Sequence, residues 1–205
     1  MRIAGITTCR RVRTDKHPIT GTDVLAKDPK MKELMALHPP PRIGHNPIFF
    51  SVIRAIISQQ LSEAAAATIF KRLKNLVCIE PEPLLALDTE AIRSCGISGR
   101  KADYIKSISA ATINGALDNL ETLPDEEAII SLVTLKGVGR WTAEMILIFS
   151  LGREDVWPCD DAGLLRSAKK LYGTANLDEF IKLGERFKPF RTHAAWYLWA
   201  SLDKG

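Results

Sequence analysis

Cysteine is scarce and scattered. Cys9, Cys78, Cys95 and Cys159 form no Cys-x-x-Cys pair, so a zinc site and a disulfide framework are not expected and reduced thiols are. No apolar run is long enough to span a bilayer. The first residues lack the apolar centre of a secretory signal, so a cytosolic chain is expected. There is no Walker loop, no dinucleotide-binding glycine fingerprint and no metal-ligand cluster, which sets aside the common small-molecule enzyme classes. His17, His38, His45 and His193 are too dispersed for a triad or metal pair. No acidic cage suits a divalent cation. Internal repeats, low-complexity tracts and convincing strand alternation are also missing.

What remains is a helical chain. With 205 residues, 46% of them hydrophobic, it can bury one sizeable core or two lobes sharing one. The formal net charge of +4 lies wholly in residues 1–16, where Arg2, Arg10, Arg11, Arg13 and Lys16 face only Asp15. The body is formally neutral, so net charge alone does not argue for a polyanionic partner, although a neutral total can hide a basic face. The basic tail, residues 1–17, reads either as a source of phosphate contacts or as an incidental end.

Apolar spacing and caps place the helices. Asp28 to Leu37 is short, and Pro39-Pro40-Pro41 ends it. Asn46 caps a helix with Pro47 in its first turn, burying Phe49, Val52, Ile53 and Ile56 on one face. Ser62 caps Glu63 to about Val77. Thr89 to Cys95 is short. Ser98 opens a helix to Asn114-Gly115, and Ser98-Gly99-Arg100-Lys101 reads equally as a contact for a polyanion or a solvated helix start. Asp125 to Thr134 and Arg140 to Ser150 flank a tight turn. Asp160 caps a helix to Tyr172, with Asp161 in its first turn. Asn176 or Asp178 starts a helix toward Phe187, and Arg191 to Leu202 is the last.

Two features carry chemistry. Gly137 and Gly139 allow positive φ and close backbone approach between two helices. The free N–H groups of the second helix then lie beside a turn without bulk, an arrangement that grips a phosphate without reading a base. Asp160-Asp161 put carboxylates at a helix N-terminus, where the dipole and free N–H groups favour the ionised form. Taken alone, the glycines are often a plain turn and the aspartates plain caps.

The combined pattern resembles the helix-hairpin-helix DNA glycosylase superfamily. Leu135-Lys136-Gly137-Val138-Gly139-Arg140-Trp141-Thr142-Ala143, followed some twenty residues on by an Asp opening a helix, carries the resemblance. Two further segments are similar to the 3-methyladenine DNA glycosylase II branch: Arg54-Ala55-Ile56-Ile57-Ser58-Gln59-Gln60-Leu61-Ser62, and Lys188-Pro189-Phe190-Arg191-Thr192-His193-Ala194-Ala195-Trp196-Tyr197-Leu198-Trp199. The segments are in family order over roughly residues 29–201. The resemblance implies an all-α, two-lobed fold with a cleft between lobes. The central lobe is 47–150, including the hairpin 135–143, and the terminal lobe is 18–46 with 151–205. It implies the compact form, without an N-terminal β domain.

The implied activity is monofunctional hydrolysis of the N-glycosidic bond of alkylated purines, of the 3-methyladenine and 7-methylguanine type, in base excision repair by base flipping. Asp161 aligns with the catalytic aspartate and Asp160 with its supporting neighbour. Trp141 stands where bifunctional members carry a lysine nucleophile, which argues against a Schiff base, and its ring suits a cationic purine. Trp157 and Phe190 are further base-pocket candidates, whereas Trp196 and Trp199, three apart on one helix, are expected in the core. Met145 and Ala162 stand where some relatives carry tyrosines. Gln60 aligns with the wedge that fills the gap left by a flipped base. Gly137, Val138, Gly139, Arg140 and Thr142 are the expected phosphate-gripping hairpin, with Lys136 in place of a common proline. Carbonyls of Val133, Leu135 and Val138 align with a sodium or potassium site. No cofactor is expected to be required, and the clustered cysteines of an iron–sulfur loop are absent. The implied partner is double-stranded DNA containing damaged purines, bound by a monomer without membrane association, cytoplasmic at the nucleoid or nuclear in a eukaryote. A non-catalytic helix-hairpin-helix protein that binds DNA structures is the alternative.

Overall fold

The computed structural model describes residues 20–44 and 46–202, so the basic tail lies outside the described residues. Among them there are twelve helices and no strand. In chain order they are α1 (Gly21–Leu25), α2 (Pro29–Leu37), α3 (Ile48–Ser58), α4 (Glu63–Leu76), α5 (Pro81–Ala86), α6 (Thr89–Ser94), α7 (Gly99–Ile113), α8 (Asp125–Val133), α9 (Arg140–Phe149), α10 (Ala162–Tyr172), α11 (Leu177–Glu185) and α12 (Arg191–Ala200). The all-α class expected from periodicity holds.

Local chemistry accounts for most boundaries. Asp28 caps α2 through the backbone N–H groups of Lys30 and Met31, and Pro29 needs no donor in the first turn. Ser62, Ser98 and Asn176 cap α4, α7 and α11. Gly173, at φ +73°, ends α10 in the left-handed conformation. Two short helices, α1 and α5, were too short to show periodicity. Asn46 does not cap α3, because Pro47 holds that position and Asn46 is turned back onto the Phe149 carbonyl at the end of α9.

Two apolar clusters organise the chain. The first runs from Val52 to Val156 and is built mainly on α3, α7, α8 and α9. The second combines Leu25, Met31 and Leu34 with residues from Trp157 to Leu198. The chain therefore changes core between Val156 and Trp157, six residues beyond the expected boundary at 150/151. The segment leaving α9 still packs Leu151 and Val156 on the first core. Trp199 packs against both clusters. The α8–α9 hairpin presents its turn on the first core, and the Trp157–Asp161 stretch opens α10 on the second, so the hairpin and the aspartates meet at the junction.

Candidate active site

Asp161, not Asp160, is the N-cap of α10, and its Oδ1 accepts the Leu164 backbone N–H at 2.6 Å. Either aspartate fits the cap by residue type, which is why sequence placed it one residue early. Asp160 is exposed, while Asp161 is only 9% exposed. A buried carboxylate needs donors, and this one has three. Besides Leu164, Trp199 donates its indole N–H to Oδ1 at 2.9 Å, and Trp141 donates to Oδ2 at 2.7 Å. The carboxylate is thus clamped between a first-turn residue of α9 and the end of α12, with both oxygens fixed.

Around it lies an open cleft of about 530 Å³, lined by Trp141, Met145 and Phe149 of α9, by Trp196, Trp199 and Ala200 of α12, and by Glu63 and Asp161. Its walls are aromatic and apolar, and the only ionisable lining side chains are the two acids. Trp141 is 44% exposed, so its ring offers a free face. Gly163 comes close behind the carboxylate: a Cβ there would sit 3.2 Å from Asp161 Oδ1 and 3.6 Å from Trp199.

Two expected pocket residues lie elsewhere. Trp157 is buried in the second core, stacked on Phe180 at 4.8 Å and donating its N–H to the Phe180 carbonyl at 3.3 Å. Its indole occupies the space a side chain at Gly184 would need. Phe190 is 9% exposed, meets His193 edge-on, and borders a separate depression with Arg186, Lys188 and Pro189. Conversely, Trp196 and Trp199, expected only as core, line the cleft. Residue type distinguishes none of these four. For Trp196 and Trp199 the deciding signal is which face of α12 meets the junction, and α12 packs on both sides.

Of the two hairpin glycines only one uses the positive φ that glycine allows, and Gly139 is extended at φ −97°. Gly137 has φ +84°, and a Cβ there would press within 2.4 Å of the Tyr104 ring. At Gly139 a Cβ would meet nothing within 4 Å, so the turn is open outward there. Lys136 is exposed, and Val138 and Thr142 are buried beneath. The Arg140 side chain, half exposed, is engaged by two acids of the hairpin. Its guanidinium makes paired 2.8 Å bonds to Glu126 on α8 and a 3.2 Å bond to Glu144 on α9, and the Glu126 bond above all holds its pKa above the ordinary arginine value. It braces the hairpin. Gln60 is exposed in the α3–α4 turn at φ +58°.

Helix, glycine turn, helix and a capping aspartate at the mouth of an aromatic cleft form the arrangement that the sequence resemblance implies for a base-excision protein. The comparison with protein families agrees: residues 53–191 match the HhH-GPD superfamily of base excision DNA repair proteins, and the chain belongs to that family. Over 158 residues it is 44% identical to DNA-3-methyladenine glycosylase 1 of Schizosaccharomyces pombe, covering 72% of this chain and 69% of that one. It is 38% identical to the alkylbase DNA glycosidase-like protein mag2 of the same yeast, over 78% of this chain and 79% of the relative. Among solved structures, S. pombe 3-methyladenine DNA glycosylase (Mag1) in complex with abasic DNA superposes with a TM-score of 0.78 at 39% identity, covering 88% of this chain and 95% of that one. A Bacillus halodurans DNA-3-methyladenine glycosidase gives 0.77 at 35% identity, with 88% and 87% covered.

Proposed function

We propose that this protein is a monofunctional DNA glycosylase that releases alkylated purines of the 3-methyladenine and 7-methylguanine type from duplex DNA by hydrolysis. The observation that carries the reading is Asp161, fixed by three N–H donors at the edge of an aromatic cleft. The nucleotide must leave the helix for its sugar to reach that carboxylate. As the C1′–N bond breaks, its electron pair moves to the base, and positive charge grows on the sugar. A fixed carboxylate stabilises that charge without having to reorganise. Water then adds at C1′ and loses a proton to Asp161 or to solvent, leaving an abasic site.

A purine alkylated at N3 or N7 is cationic and departs as a neutral base, so no general acid is needed. The cleft suits such a base: its charged lining groups, Asp161 and Glu63, are both negative, and indole faces attract cations by about 0.5–2 kcal/mol. Trp141 offers no amine for a Schiff base, and the reaction consumes only water. The Gly137–Gly139 turn provides the phosphate grip through its backbone, and Gln60 is the proposed wedge. Carbonyls of Val133 and Val138 accept no backbone hydrogen bond among the described residues, and that of Leu135 accepts one from Val138. These oxygens suit a sodium or potassium ion that would add positive charge beside a phosphate. The protein acts as a monomer on DNA, at the nucleoid or in the nucleus.

The test is chromatographic release of free base from methylated duplex DNA by wild type and Asp161→Asn. Release by wild type, lowered by at least about a hundredfold in the variant with DNA binding kept, is the expected result. Full activity of the variant would remove Asp161 from the catalytic role, and no release by wild type from any alkylated or deaminated purine would leave the non-catalytic DNA-binding alternative.

A further inference from the structure

Gln60 has no glycine's freedom, yet it sits at φ +58°. A non-glycine residue keeps the left-handed conformation only where its surroundings hold it there. The hold is visible on both sides of the turn. Helix α3 ends at Ser58, one residue before Gln59, leaving terminal carbonyls that need donors. Ala55 accepts the Gln59 N–H at 3.2 Å, Arg54 accepts the Ser58 hydroxyl at 2.8 Å, and Ser58 accepts the Leu61 N–H at 3.2 Å. The carbonyls of Ile57 and Gln59 are taken by one group, the Lys101 ammonium, at 2.8 and 2.6 Å. Lys101 comes from the first turn of α7, far along the chain. It is a cationic cap at the negative end of α3, the sign the helix dipole favours.

The same short stretch reaches the hairpin. Gln59 donates its side-chain amide to the Gly137 carbonyl at 2.8 Å. Tyr104, one turn beyond Lys101 on α7, lies under Gly137. So α7 backs both elements, with Lys101 holding the end of α3 and Tyr104 underlying the hairpin glycine. Gln59 joins one to the other.

We infer that Lys101 and Gln59 are positioning residues that lock the Gln60 turn to the phosphate-gripping hairpin, so that wedge and grip engage DNA as one rigid unit. The inference rests on the glycosylase reading for its rate measurement but not for its binding measurement. Burial of the Lys101 ammonium, with the neighbouring Arg100 charge, lowers its pKa. Its two carbonyl bonds direct the ammonium onto the end of α3.

The experiment uses the full chain with Lys101→Met, Lys101→Arg and Gln59→Leu. Each is bound to duplex carrying an abasic-site analogue beside 2-aminopurine, whose brightening reports unstacking by the wedge, while anisotropy reports affinity. Single-turnover release is measured from 7-methylguanine in a matched pair and opposite a mismatch. The expected result for Lys101→Met and Gln59→Leu is loss of brightening with affinity kept within about threefold. Matched-pair release falls about tenfold, the scale of losing a hydrogen bond whose partner is left unsatisfied, and mismatch release falls less than about threefold. Lys101→Arg, which keeps a cation for the carbonyls, restores most of both. Should Lys101→Met fail to fold, Gln59→Leu decides. Brightening kept by the variants, or equal losses on both substrates, overturns the inference. Brightening lost in the variants while wild type releases no base would overturn the glycosylase and leave the inference standing.

Discussion

An indole N–H can be removed while most of the ring's bulk stays. Trp199→Phe keeps an aromatic wall in the cleft but deletes the donor 2.9 Å from Asp161 Oδ1, leaving that oxygen only the Leu164 N–H. A carboxylate freed on one side samples more orientations, and each non-productive one lowers the charge stabilisation at C1′. The expected loss in kcat is about ten- to a hundredfold, read by single-turnover release. Unchanged kcat would mean that the Trp199 N–H does not help hold Asp161. Gly163→Ala separates activity from stability more sharply. Replacing glycine within a helix gains up to about 1 kcal/mol, yet the new Cβ lies only 3.2 Å from Asp161 Oδ1. The variant should melt no earlier than wild type and release base more slowly. Full speed would show that the carboxylate yields without cost.

The α8–α9 hairpin is braced by an ionic link of unequal parts. Glu144 is 5% exposed, and burial pushes its carboxyl above the ordinary value of 4.5, with Arg140 opposing. The Arg140 side chain is half exposed, so removing it costs less than breaking a fully buried pair, about 1–2 kcal/mol. Arg140→Gln leaves Glu144 short of its counter-charge. A buried carboxyl with a raised folded pKa binds a proton in the folded state before it does when unfolded. Its penalty is therefore full above the folded value and relieved as pH falls through that value toward 4.5. Glu126, held below 4.5 chiefly by its bond to Arg140, adds a contribution in wild type that is likewise lost as pH falls. Both push one way, so urea melts should show the variant's deficit at pH 7 shrinking toward pH 4. A constant deficit would remove the electrostatic account. The same variant should leave the salt dependence of DNA affinity unchanged, because this guanidinium faces acids and not phosphate; a slope lowered by about 0.9, one contact's worth, would restore Arg140 as a phosphate ligand. Sequence pattern was reliable for elements of this kind. The apolar spacing of Ala128, Ile129 and Leu132 and the glycines located both helices to within a residue or two, although neither helix has a capping side chain. It could not say that Arg140 pairs with two acids, because that depends on Glu126 and Glu144 arriving from two elements.

At the scale of the molecule, what was hidden is what the junction between the two cores decides. Periodicity assigns one buried face per helix. On α12, however, Ala194, Ala195, Tyr197 and Leu198 are buried in the second core while Trp199 also touches the first. Trp196 and Trp199 thus read as core, and Trp157, next to the aspartates in sequence, read as cleft. The tie across that junction is local and specific. The buried Thr192 hydroxyl donates to the Arg153 carbonyl at 2.7 Å and accepts the Val156 N–H at 2.9 Å. Beside it, the Thr192 N–H reaches the Glu154 carbonyl at 3.0 Å, and Arg191 grips Asp155 through bonds of 2.8 and 3.0 Å. The start of α12 therefore holds the strap, residues 153–156, that leads into Asp161, and the end of α12 supplies Trp199 to the same carboxylate. Thr192→Val keeps the shape and removes both hydroxyl bonds, leaving the Val156 N–H buried without its partner at a cost of about 1–3 kcal/mol. Because the strap carries the catalytic candidate, the loss should also appear as a lower kcat with KM little changed. Thr192→Ser keeps the hydroxyl and should recover more of the rate than of the stability, since its missing methyl leaves a small void. Urea melts and single-turnover release on the pair measure both. A Thr192→Val protein with wild-type stability and rate would show that the two cores hold the cleft by apolar packing alone.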